Sequence, residues 1–114
     1  MLRRAFLLTP LVFALPARAH HGWGSYDAAN PVTITGRIKS VHFANPHVHV
    51  DLETTGKTWE CTLAPPFRMT NREATESFVK VGQQATLMGY VNRTNPNEMR
   101  AEWIEIDGKR VQLR

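Results

Sequence analysis

Between Pro31 and Phe43 apolar and polar residues alternate, and the phase of the alternation reverses once. In Val32-Thr33-Ile34-Thr35-Gly36-Arg37-Ile38-Lys39, the residues Val32, Ile34 and Ile38 share one face, with Thr33, Thr35, Arg37 and Lys39 on the other. Val41 and Phe43 then resume the apolar series one step out of register. A long β-branched run with a single reversal predicts a strand bent by a bulge near Lys39-Ser40. Closing a small barrel requires such a bend.

The rest of the chain repeats the period of two. Asn45-Pro46 is a turn signal, and His47 to Glu53 reads as a second strand with Val48, Val50 and Leu52 inward. His47, His49, Asp51 and Glu53 then face outward. Thr54-Thr55-Gly56-Lys57 predicts a hairpin loop, followed by a third strand from Thr58 to Leu63 that buries Trp59, Cys61 and Leu63. Thr70-Asn71-Arg72-Glu73 has the form of a capping box, which predicts a short helix from Thr70 to about Lys80, ended at Gly82. Gln84 to Arg93 and Met99 to Ile106 predict a fourth and a fifth strand, with Val111 to Leu113 extending the fifth after Asp107-Gly108. In the fifth, Ala101-Trp103 and Ile104-Ile106 lie in opposite phases. Three strands, a helix and two strands is the order of the OB-fold. The expectation is therefore an all-β, five-stranded OB-like Greek-key barrel with one short helix between strands 3 and 4.

The first nineteen residues read as an address. Arg3 and Arg4 are followed by a mostly apolar stretch from Ala5 to Leu15, and Ala17-Arg18-Ala19 places small residues where a signal peptidase reads. Eleven helical residues rise about 16 Å, short of a hydrocarbon core of about 30 Å. Export with cleavage is thus the expectation, and a stable membrane anchor afterwards is not. Arg3-Arg4-Ala5-Phe6-Leu7 suits either the general secretory or the twin-arginine route to the periplasm. The domain reading is 1–19 as export signal, 20–30 as an extended N-terminal segment and 31–114 as the barrel. The formal charge of +4 comprises fourteen basic and ten acidic residues. Loss of Arg3, Arg4 and Arg18 leaves eleven basic against those ten, a net of +1. Near-neutrality and export both argue against nucleic acid as a partner. Cys61 is the single cysteine, so an internal disulfide or a cysteine-based zinc site is excluded.

Several segments together resemble an uncharacterised family of small exported bacterial proteins. They are Ala19-His20-His21-Gly22 at the end of the signal, Pro31-Val32-Thr33-Ile34-Thr35-Gly36, Asn45-Pro46-His47-Val48, and Val81-Gly82 with Met88-Gly89-Tyr90. The resemblance spans essentially the whole mature chain and implies a periplasmic OB-like barrel, with no activity to carry over. Where that family commonly has an aromatic residue, this chain has His49.

All five histidines lie between residues 20 and 49. Cleavage after Ala19 makes His20 the N-terminus, whose α-amine and ring nitrogen chelate one metal ion. Cleavage after Ala17 instead leaves Arg18-Ala19-His20, a terminus that can wrap a metal with amine, amides and ring. Both arrangements suit Cu(II), which favours nitrogen ligands in a tetragonal plane. His21, His47 and His49 are further candidate ligands. Asp51 and His42 are candidate outer partners that orient those rings. Met69, Met88 and Met99 are scattered and read as filling rather than as soft ligands, and Cys61 as a small buried hydrophobe. Glu53 and Glu60 face outward near His49 with nothing to position them as an acid–base pair. The aromatic residues Trp23, Tyr26, Trp59, Tyr90 and Trp103 include material for a stacking platform of the kind OB-folds use.

The leading functional expectation is an exported periplasmic binding protein, a copper module built on N-terminal and strand histidines. A metal-free OB-like interaction domain that docks a peptide or an envelope protein is the alternative. A small copper oxidoreductase with a terminal-histidine brace is a third, disfavoured because so short a chain leaves few loops to build a substrate cleft.

Overall fold

The structure is a computed structural model and describes residues 23–114. The expected export signal and the histidines His20 and His21 lie outside the described residues. The elements are β1 (Val32–His42), β2 (His49–Thr54), β3 (Lys57–Thr62), α1 (Pro66–Asn71), β4 (Gln84–Val91), β5 (Glu98–Ile106) and β6 (Lys109–Gln112). Antiparallel pairing orders the sheet β3-β2-β1-β4-β5-β6, and a parallel pairing of β3 with β5 closes it. The result is a closed five-stranded barrel of the OB type, as the order of elements implied. Val111 does not extend the fifth strand: the chain reverses at Asp107-Gly108, both at positive φ, and β6 pairs back antiparallel on β5, Trp103 with Gln112 and Ile106 with Lys109.

The phase reversal in β1 is a bulge. Pairing with β2 runs Ile38↔Leu52 and then Ser40↔Asp51, skipping Lys39. The inward set Val48, Val50, Leu52, Trp59, Cys61 and Leu63 is buried, together with Ile38, Leu87 and Ile104, and Ile34 packs against this cluster. A second bulge explains the two phases of β5: Met88 pairs with Trp103 and Gly89 with Ala101, which leaves Glu102 as the extra residue. Ala101, Ile104 and Ile106 all point inward as a result, while Trp103 lies outside with the Arg110 guanidinium 3.7 Å from its ring centre.

Of the boundaries that differ from expectation, those of the helix, the second strand and the fourth strand have clear physical reasons. The helix is six residues long and starts at Pro66, not Thr70. A proline at the first helical position comes with its φ already set and has no N–H to satisfy, so Pro65-Pro66 starts the helix that the capping box was read to start. Glu73, the would-be partner of that box, sits at φ 64°, outside helical geometry. The residues after it form turns, with Ala74 and Val79 buried in the core. The second strand begins at His49, so His47 precedes it. The fourth ends at Val91, because the Arg93 N–H bonds to the Ser25 carbonyl of the N-terminal segment instead.

Residues 23–30 are docked on the end of β4. Trp23–Ser25 form a 3-10 turn, and Tyr26 makes an isolated antiparallel bridge with Asn92. The Asp27 N–H bonds to the Val91 carbonyl at 2.9 Å. The Trp23 ring lies 4.1 Å from the Arg100 guanidinium and 4.4 Å from that of Arg114, and meets Tyr26 and Tyr90 edge-on. Two cation–π contacts and an aromatic cluster hold this strap against the barrel. Among the described residues, no helix is long and apolar enough to cross a membrane.

Candidate functional site

The Asn45–Pro46 turn and the parallel β3–β5 pairing together shape one cleft. Residues before and on β2 supply Pro46, His47 and His49; β3 supplies Glu60 and Thr62; β5 supplies Glu98 and Arg100; the strap supplies Tyr26. Its volume is about 320 Å³, at the small end of ligand-sized cavities. His49 opposes His42 across β1–β2 and Thr62 across β2–β3. Its Nδ1 lies 3.3 Å from the Thr62 hydroxyl, and its ring centre is 6.5 Å from that of His42.

Electrostatics divides the groups of the cleft. The Tyr26 hydroxyl donates to Glu98 Oε1 at 2.6 Å. Burial, with the bond to Glu98 next, pushes the Tyr26 phenol up to about 12. Desolvation pulls the His49 pKa below its ordinary value, and the neighbouring His42 adds to the effect. The His49 imidazole is therefore neutral at pH 7, the form in which a ring nitrogen offers a lone pair to a metal. Burial also lowers the Arg100 pKa from its usual value, and the guanidinium stays charged.

The sequence profile of a family of unknown function (DUF6152) matches residues 10–100. The chain belongs to that family. No curated protein matches it. Among solved structures, the DUF6152 chain is similar to the crystal structure of the ZRD-deleted mutant of TiaS in complex with agmatine, at 16% identity and a TM-score of 0.53. That match covers 77% of this chain and 25% of the other, so the DUF6152 chain spans about a quarter of that protein's length. At such identity the likeness shows the fold alone.

Of the residues singled out from the sequence, His47 and His49 line one cleft of the DUF6152 barrel. His42 reaches it only through His49. Asp51 accepts from the Ser40 hydroxyl at 2.9 Å, so its structural partner in the fold is a serine. Glu60 lines the same cleft as His49, whereas Glu53 lines a second hollow with Arg37, Lys39 and Val81; the two carboxylates are not brought together. Cys61 is buried, its thiol pushed up to about 12 by desolvation. Met69 and Met99 are wholly buried filling. The aromatic residues do not form one platform. Trp59 belongs to the core under the Lys57 ammonium, Trp103 lies under Arg110, and Trp23, Tyr26 and Tyr90 cluster at the strap. Among the described residues, no group of three or more His, Cys, Asp or Glu side chains is spaced to hold a metal ion.

Sequence reasoning missed Thr62, Glu98 and Arg100 as parts of the site, and placed Tyr26 among the aromatic residues of a stacking platform rather than in the cleft. Glu98 and Arg100 alternate outward along β5 on either side of buried Met99, a visible signal. Their meeting with Glu60 and Thr62 depends on the parallel closure of the barrel, which no local pattern encodes.

Proposed function

We propose that this protein is an exported binding module that takes up one Cu(II) ion at the mouth of the histidine cleft. His20 serves as the chelating N-terminus, His21 and His47 as further ligands, and His49 as a lesser contributor. The observation that carries the reading is the position of Tyr26, which lines the cleft beside His47 and His49 while bridging to Asn92. His21 is five residues before Tyr26. Five residues of chain span up to about 17 Å, which supports delivery of an N-terminal imidazole and amine to that opening. The donor set, an amine with imidazoles and no accessible thiolate, is one that Cu(II) favours. Export to the periplasm, with cleavage after Ala19, is part of the proposal because it creates the chelating amine.

The test is calorimetry and electron paramagnetic resonance of the chain starting at His20, titrated with Cu(II). One residue added before His20 separates amine from ring and should cost more affinity than His49→Ala. Equal tight binding by both variants would mark the coordination as adventitious. A chain beginning at His20 that binds no copper at neutral pH would transfer the lead to a metal-free interaction domain. Phe67 and Val81, exposed at 64% and 62%, give that second reading its apolar contacts.

A further inference from the structure

We infer that His42 and His49 form a metal clamp of their own, a cross-strand pair of imidazoles that binds a first-row divalent cation such as Zn(II). His42 is the last residue of β1 and His49 the first of β2, and the two are direct partners in the β1–β2 register. Direct cross-strand partners place their Cβ atoms about 5 Å apart. Both residues are exposed on the outer face, so an ion reaches the rings without displacing core side chains.

The ring geometry is close to what a shared ion needs. The ring centres are 6.5 Å apart with planes inclined at 33°. Metal–nitrogen bonds of about 2.0–2.1 Å put two imidazole centres on one tetrahedral ion about 5 Å apart. Rotation of the exposed His42 about its side-chain bonds supplies the remaining closure of about 1–1.5 Å, since staggered rotamers of a surface residue interconvert readily. The backbone does not have to move. Behind the pair, Val41 opposes Val50, and Val50 is fixed in the core. His49 is further oriented by Thr62: with Nδ1 turned to that hydroxyl at 3.3 Å, Nε2 is the nitrogen left for the ion. Imidazole suits zinc, copper and nickel alike, and water completes the coordination sphere of a two-ligand site on an open surface.

This clamp does not depend on the N-terminal histidines. It assigns His42 as a ligand and gives His49 its main role outside the cleft, which is why His49 counts for little in the Cu(II) proposal. Zn(II) titration of the full mature chain by calorimetry, with thermal melts at saturating zinc, tests it. His42→Gln and His49→Gln should each weaken the zinc component at least tenfold and abolish the zinc-induced rise in Tm, while circular dichroism of the metal-free proteins stays unchanged. The clamp component is read in a His20→Ala/His21→Ala background, which removes the N-terminal imidazoles, and there His47→Gln should leave it within about twofold. Unchanged zinc binding by His42→Gln would overturn the clamp, as would an equal loss on His47→Gln. The Cu(II) proposal is decided separately by the residue added before His20, so the failure of one leaves the other standing.

Discussion

Removing one oxygen atom, by Tyr26→Phe, tests whether the strap is part of the fold. The Tyr26 ring is 2% exposed, and its hydroxyl donates to the Glu98 carboxylate at 2.6 Å. A hydrogen bond to a charged group contributes about 1.5–3 kcal/mol net. In a domain of this size each kcal/mol moves Tm by roughly 4–8 °C, so the variant should melt on the order of 10 °C lower at pH 7. The alkaline limb is the sharper measurement. The phenol rises from 10.0 to about 12 in the fold, because burial and Glu98 both disfavour the phenolate. Below pH 10 the group is protonated in folded and unfolded chains alike, and its contribution is complete. Above pH 10 the unfolded chain loses the proton first, so stability falls as pH rises towards 12. At about 1.4 kcal/mol per pH unit, the loss attributable to Tyr26 is roughly 2–3 kcal/mol. Urea unfolding at pH 7, 10 and 12 should therefore show the gap between wild type and Tyr26→Phe closing across the last two. Every other group is common to the two proteins and cancels in the difference. A gap that stays constant to pH 12 would show that the Tyr26 hydroxyl is not held as described, and the strap would lose its anchor.

Two further outcomes follow from the barrel. A Cβ at Gly89 would run into the Arg100 carbonyl oxygen and lie 2.8 Å from the Ala101 Cα, both backbone atoms that cannot rotate away, so Gly89→Ala should cost about 3 kcal/mol or more in urea unfolding. The Cys61 thiol, buried and raised to about 12, should resist an aromatic disulfide reagent at pH 8 in the folded protein and react stoichiometrically in denaturant.

The fold was readable where local sequence and tertiary demand agree. Both bulges announced themselves as phase reversals, at Lys39 and around Glu102, because the period of two leaves no other way to keep Ile38, Val41, Ala101 and Ile104 facing the core. The helix was misplaced because two start signals compete within six residues. Pro65-Pro66 prevails, since Met69 is wholly buried one turn into a helix that begins at Pro66. The period of two places Gly89 on one face with Ala85, Leu87 and Val91, with nothing local to mark it out. Its actual constraint is the approach of the β5 backbone at the second bulge, which only the paired strands reveal.

The site was legible in half. His47 and His49 share a cleft because they lie two residues apart beside a turn, a short-range property that sequence carries well. The carboxylates and the guanidinium arrive from strands far along the chain, and their assignments are structural: Glu98 accepts from Tyr26, and Arg100 stands against the Trp23 ring. Glu98 and Arg100 thus hold the strap in place, and the imidazoles of His47 and His49 are the groups whose chemistry points to a ligand. That division is why the N-terminal segment matters to any reading of the protein. The strap that engages these charged residues, through Tyr26 and Trp23, also places Tyr26 in the lining of the cleft. Loosening it by Tyr26→Phe should therefore weaken both the fold and, on the copper reading, the effective concentration of the terminal amine at His47.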